Sequence, residues 1–119
     1  MSTNPRAETI MVFMTAANGE EATRLAEVLV GAHLAACVQI LPEIESVYRW
    51  KGNVERSSEI LLIAKTTAAR FVELERAVRA LHSYETPEIV GVPMSAISTP
   101  YLNWLRSVVK KELADSAGR

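Results

Sequence analysis

Apolar and polar positions alternate along this chain in two rhythms, and the rhythm changes at readable points. Thr9–Thr15 (TIMVFMT) is an unbroken apolar run, the pattern of a strand covered on both faces. Asn18 then stands where a helix cap is expected, with Glu21 three residues on as its reciprocal capping-box partner. Ala22, Leu25, Ala26 and Leu29 follow at helical spacing and form one stripe, and the helix is expected to fray after Gly31. The stretch from Ala36 to Thr66 changes rhythm to that of strands. Ala36–Trp50 and Val54–Thr66 are rich in β-branched and aromatic residues, and Lys51-Gly52-Asn53 between them reads as a hairpin turn built on the Gly-Asn pair.

The length of that hairpin shapes the rest of the reading. Arms rising ~3.3 Å per residue would reach ~40 Å, against a radius of gyration of ~13 Å for a domain of about 100 residues. The ribbon should therefore overhang its own protomer. Pro42 removes a ladder donor in the first arm, so a kink is expected between Ala36–Leu41 and Ile44–Trp50. The base of the ribbon is apolar. Its distal half is polar with Val47, Tyr48 and Trp50 as large anchors, which suits contact with another copy of the chain.

Beyond the hairpin, Thr66 or Thr67 is expected to cap a second helix that runs through Leu81, with Phe71, Leu74, Val78 and Leu81 facing the core. Glu75 and Arg79 form an i,i+4 pair on its wet face. His82–Pro87 is a polar turn. Glu88–Ala96 reads as a fourth strand whose Gly91 and Pro93 indicate an edge or a close backbone approach. Thr99 as cap and Pro100 in the first turn open a last helix to about Leu113, with Tyr101, Trp104, Leu105 and Val108 inward. The order is βαββαβ plus a C-terminal helix, an α+β, ferredoxin-like sandwich of one domain over residues 8–113, with 1–7 and 114–119 as flexible termini. Helices would cover one face of its sheet. The other face calls for self-association into a closed oligomer.

Composition narrows the classes. The 119 residues are 49% hydrophobic and 23% charged, enough apolar surface for a packed core. Thirteen basic against fourteen acidic residues leave a net charge of −1, with no basic run, so nucleic acid and anionic membranes are not expected partners. No apolar run approaches the ~18 residues of a membrane span. The lone Cys37 cannot form an internal disulfide, and with no apolar leader at the N-terminus the expectation is a reducing, cytoplasmic setting.

The strings LAACVQI, YRWKG, SSEILLIAKT, HSYETPEIV and YLNWL, in this order and spacing from about Ile10 to Leu113, resemble the CutA family of divalent-cation tolerance proteins. The resemblance implies a ferredoxin-like protomer, a homotrimer joined through the long hairpins, similarity to PII signalling proteins, and a link to copper and other divalent metals, with none obligatory. The chain departs from the family pattern at Ser83, where a proline is usual, and at Ser98-Thr99-Pro100 before the last helix, where a glycine is often found.

Three groups of residues could carry chemistry. Cys37 offers a soft thiolate suited to Cu(I) or Zn(II), although a free cysteine at a strand base is commonly a small buried hydrophobe. His82, Glu85 and Glu88 share one turn and could ligate a metal or move a proton; alternatively His82 favours a helix C-terminus and Glu85 pairs locally. Cys37, His82 and Glu85 are the metal candidates. Lys65 and Arg49 could meet an anion in an intersubunit cleft with Tyr84 and Glu88, as in a PII-like sensor, or simply be solvated strand residues. Tyr48, Trp50 and Trp104 are candidate interface anchors. No P-loop, GxGxxG or nucleophile triad is present, and the chain is not expected to be an enzyme.

Overall fold

In the computed structural model, which describes residues 8–109, the chain runs β1 (Thr9–Ala16), α1 (Gly19–Gly31), β2 (Cys37–Trp50), β3 (Asn53–Thr67), a 3₁₀ turn (Ala68–Arg70), α2 (Phe71–Leu81), β4 (Ile89–Pro93) and α3 (Thr99–Val109). The expected segments 1–7 and 114–119, and the end of the last helix towards Leu113, lie outside the described residues. One antiparallel sheet has the order β2-β3-β1-β4, the ferredoxin-like arrangement. The hairpin overhangs as its length demands. The molecule measures 49 × 32 × 25 Å, with a radius of gyration of 15.6 Å.

The helix-covered face is built from alternate residues of the strands. Ile10, Val12 and Met14 of β1 and Leu62 and Ala64 of β3 meet Leu25 and Leu29 of α1 and Leu74 and Val78 of α2. The intervening residue Met11 instead packs with Met94, Tyr101, Leu105 and Val109, so α3 lies against the opposite face. It covers one end of that face. Elsewhere on it Val90 and Val92 remain exposed.

Local signals explain most boundaries. Glu21 N–H donates to Asn18 Oδ1 at 2.9 Å, as the capping box requires. The return bond goes one residue earlier than the motif implies: Ala17 N–H donates to Glu21 Oε1 at 2.8 Å. His33, in the left-handed region at φ 61°, turns the chain out of α1 towards β2. The register shifts between Leu41 and Ile44, where Pro42 predicts a kink: Pro42 and Glu43 stand against Ile60 alone. Of the two readings of Gly91 and Pro93, the edge holds: β4 is the outer strand of the sheet, and a Cβ at Gly91 would meet the Ile10 and Phe71 side chains at 3.4 and 3.5 Å, ordinary contact.

Several expectations are corrected. The hairpin turn is centred on Lys51-Gly52, with φ of 50° and 85°, and not on Gly-Asn; Asn53 already pairs with Trp50. Neither threonine caps α2 by its side chain. Thr67 makes no such bond, and Thr66 is buried with its hydroxyl donating to the Leu34 carbonyl at 2.8 Å. The last helix is capped by Ser98, whose Oγ accepts from Tyr101 N–H at 3.4 Å, and not by Thr99. Trp104 is 43% exposed and Leu81 36%, so neither faces inward; Leu102 takes the buried place on α3. The fourth strand is shorter than Glu88–Ala96 and ends at Pro93, which has no N–H to extend a ladder.

Candidate functional site

A cleft of about 770 Å3 opens between the distal hairpin and the turn after α2. Ser46, Tyr48 and Trp50 of β2 line one wall, Glu59 of β3 and Thr15 of β1 the floor, and residues 83–88 the other wall. The strand register accounts for the grouping. Ser46, Tyr48 and Trp50 alternate along β2, opposite Ser57, Glu55 and Asn53, and so share a face. Beyond the bulge that is the face opposite α1 and α2.

The floor is a closed set of hydrogen bonds. Glu59, 6% exposed, accepts from Ser46 Oγ at 2.6 Å and from Tyr84 OH at 2.7 Å. Tyr48 and Ser57 share a hydroxyl–hydroxyl bond of 3.0 Å. Burial, then donation to Glu59 and that carboxylate's charge, hold the Tyr84 phenol well above its ordinary range, so it stays a donor. Burial and then the charge of Glu59 also raise Glu88. Among the described residues the lining carries the carboxylates of Glu59, Glu85 and Glu88 and no Lys, Arg or His.

The turn that forms the second wall is tied to the helices from behind. Glu21 accepts from Ser83 N–H at 2.6 Å through Oε2 while Oε1 holds Ala17. Burial would raise this carboxyl, but the backbone donors of Ala17 and Ser83 more than offset it and hold Glu21 below its ordinary value. The His82 side chain is wholly buried. Its Nε2 lies 2.7 Å from the Thr15 carbonyl oxygen, which can only accept, so Nε2 carries the proton. Tyr84 N–H donates to Nδ1 at 3.0 Å. Both ring nitrogens are therefore engaged, and the ring lies tilted at 49° to that of Tyr84, with centroids 4.7 Å apart.

The structure brings Tyr84, Glu85, Glu88, Tyr48 and Trp50 to this cleft. It does not bring Cys37, Lys65 or Trp104 there. Cys37 lies in the register row of Lys65 and Met11, whereas Thr15, beside His82, is four residues further along β1. Cys37 Sγ is 3.4 Å from Tyr101 OH, and burial together with that contact pushes the Tyr101 phenol up to about 12. Lys65 donates to Gln39 at 2.7 Å, and Arg49 reaches the Gly52 carbonyl at 3.4 Å. Trp104 packs against Tyr101 with the rings tilted at 46° and their centroids 5.4 Å apart. Among the described residues no group of three His, Cys, Asp or Glu side chains converges to hold a metal ion. Sequence reasoning missed Glu59, and it read Glu21 only as a cap partner and not as the acceptor that ties down Ser83. The signal for Glu59 was a carboxylate immediately before the apolar run Ile60–Ala64, next to the position that faces the bulge.

Comparison with known proteins gives a consistent picture. The family model for the CutA1 divalent ion tolerance protein matches residues 10–108. A divalent-cation tolerance protein CutA of Thermus thermophilus is 45% identical over 96 residues, covering 81% of this chain and 93% of that one. The crystal structure of CutA1 from Oryza sativa superposes with a TM-score of 0.85 at 38% identity, covering 92% of this chain and 100% of that chain. Protein CutA of Homo sapiens is 39% identical over 82% of this chain, but the chain spans only 55% of its length.

Proposed function

Because the chain belongs to the CutA1 divalent ion tolerance family, we propose that it works in the handling of divalent cations, copper among them, as a homotrimer whose copies cover one another's open sheet faces. One observation carries the assembly. The same strands that are sealed by α1 and α2 on one side leave Leu41, Val90 and Val92 exposed, and the overhanging ribbon adds Tyr48 and Trp50. Apolar surface of that kind is characteristic of interfaces. Native mass spectrometry tests it: a trimer is expected, and a stable single chain at micromolar concentration overturns it.

Among the described residues, the donors within one chain do not converge on a metal ion. His82 has no free lone pair, and Cys37, His82 and Glu85 do not converge. A cation site therefore needs ligands from more than one copy, and Cys37 is the soft donor available to it. Equilibrium dialysis with copper and zinc should show binding that Cys37→Ala removes; equal binding by both proteins overturns the assignment. The acidic lining of the cleft does not favour the alternative of a sensor for small anions.

A further inference from the structure

We propose that Asn18 is a site of spontaneous covalent modification, where the backbone nitrogen of Gly19 closes on the Asn18 side-chain amide and expels ammonia, and that the cap of α1 sets its rate. The dipeptide comes first. Asn18 is followed by glycine, whereas Asn4, Asn53 and Asn103 are followed by proline, valine and tryptophan. A glycine has no Cβ to hinder the approach of its own nitrogen to a neighbouring side chain. The surroundings come second. Asn18 and Gly19 are both exposed, and nothing lies within 4 Å of where a Cβ on Gly19 would stand. As the first residue of α1, Gly19 carries an N–H that the helix leaves without an intrahelical partner. Asn53 is also exposed but precedes a β-branched residue, and Asn103 lies inside α3.

The reaction balances with water alone. Solvent base takes the Gly19 N–H proton, the nitrogen bonds to Asn18 Cγ, and the Cγ–Nδ2 bond breaks as ammonia leaves with a proton from solvent. Water then opens the cyclic imide at either carbonyl. Opening at Cγ leaves an aspartyl residue, which still caps the helix and adds a charge that its N-terminus favours. Opening at the main-chain carbonyl reroutes the chain through Cβ and Cγ. That isoaspartyl link is one carbon longer and misplaces the acceptor used by Glu21 N–H. It thereby loosens Glu21, which holds Ser83 N–H at 2.6 Å. In the structure ψ of 176° at Asn18 keeps the Gly19 nitrogen out of line with Cγ, and Oδ1 is occupied by Glu21 N–H at 2.9 Å. Closure therefore waits for the first turn of α1 to loosen, a local opening and not a global one. The side chain of Glu21 ties that turn down through Ala17 N–H and Ser83 N–H. Helix α1 lies on the sealed face of the sheet, opposite the one that sister copies would cover, so this inference goes beyond the assembly reading and does not rest on it.

The test is peptide mapping by mass spectrometry of the full chain held for weeks in mildly alkaline buffer. Conversion of amide to acid is expected at Asn18, severalfold faster than at Asn53 or Asn103. Gly19→Ala, which meets open space and needs no positive φ, should fold normally and slow the conversion severalfold. Asn18→Ser should keep the cap and abolish conversion at this position. Glu21→Gln, which loosens the first turn, should speed it severalfold. Hydrogen exchange on the separated products reads the consequence. The Ser83 amide should exchange faster in the isoaspartyl fraction and no faster in the aspartyl one, for which Asn18→Asp is the authentic standard. Conversion at Asn18 no faster than at Asn53, or undiminished in Gly19→Ala, overturns the site. An unchanged rate in Glu21→Gln overturns control by the cap, and equal Ser83 exchange in the two fractions overturns the link from cap to turn.

Discussion

The two faces of one sheet present nearly the same chemistry and meet opposite fates. On one side Val12, Met14, Leu62 and Ala64 are fully buried. On the other, side chains of comparable hydrophobicity from adjoining positions, Val90 and Val92, are 50% and 37% exposed. The difference is not in the residues. Two helices of the chain's own cover the first face, while the second has α3 at one end, a turn at the other, and none of the described residues between them. Burial is decided by what the topology can bring across, and a strand reads the same whether its cover comes from the same chain or from another.

The comparison breaks most sharply where the covered face is emptied. Leu62→Ala should cost about 3 kcal/mol in denaturant unfolding, the usual price of a large core truncation. Glu21→Gln comes next. It strips one acceptor from the Ala17 and Ser83 N–H groups and should cost about 2 kcal/mol. Glu21 also sets a pH dependence. Its folded pKa lies below its unfolded one, so its contribution is present above the unfolded value of 4.5 and is shed as pH falls through the folded value. Glu21→Gln should flatten that part of the acid limb of stability against pH.

Gly52→Ala should cost about 1 kcal/mol, because φ of +85° strains any side chain. On the open face the sign reverses. Glu88 has a raised pKa, so the folded state gains stability as pH falls through it. Glu88→Gln should therefore stabilise the single chain at neutral pH, by no more than about 0.5 kcal/mol given its exposure. Val90→Ser should change unfolding by a similarly small amount, about 0.5 kcal/mol or less, yet weaken self-association measurably in sedimentation experiments. A core-sized loss of single-chain stability from Val90→Ser would erase the distinction between the faces.

Much of this was legible in the sequence because it is local. Strand order follows from element order, the bulge from Pro42, and the α1 cap from Asn18 and Glu21. The misses lie where distant segments meet. Trp104 falls outside the inward set because Leu102, Leu105 and Val109 claim the buried stripe of α3, a phase fixed by the sheet beneath it. Thr66 has the chemistry of a cap but is needed by the Leu34 carbonyl, 32 positions away. The cleft itself was half visible: the polar 82–88 turn was singled out, but Glu59 and Glu21, which hold it from two sides, belong to other elements. The ring of His82 is held between the Thr15 carbonyl and the Tyr84 N–H, the first of them a contact across 67 positions that local pattern does not announce.

The irregularity at Pro42 and Glu43 has a bearing on how this ribbon can vary. Odd-numbered β2 residues such as Gln39 and Leu41 share a side with Ile63 and Leu61 before it, and even-numbered ones such as Ser46 and Tyr48 take over afterwards. Inward and outward assignments in the outer arm are thus counted afresh from Ile44, independently of the root. Adding or trimming residues in matched pairs on both arms would lengthen or shorten the ribbon and leave its root and its sidedness intact. A single-residue change would instead turn Tyr48 and Trp50 to the wrong side. The reach of the ribbon can therefore be adjusted only in steps of two.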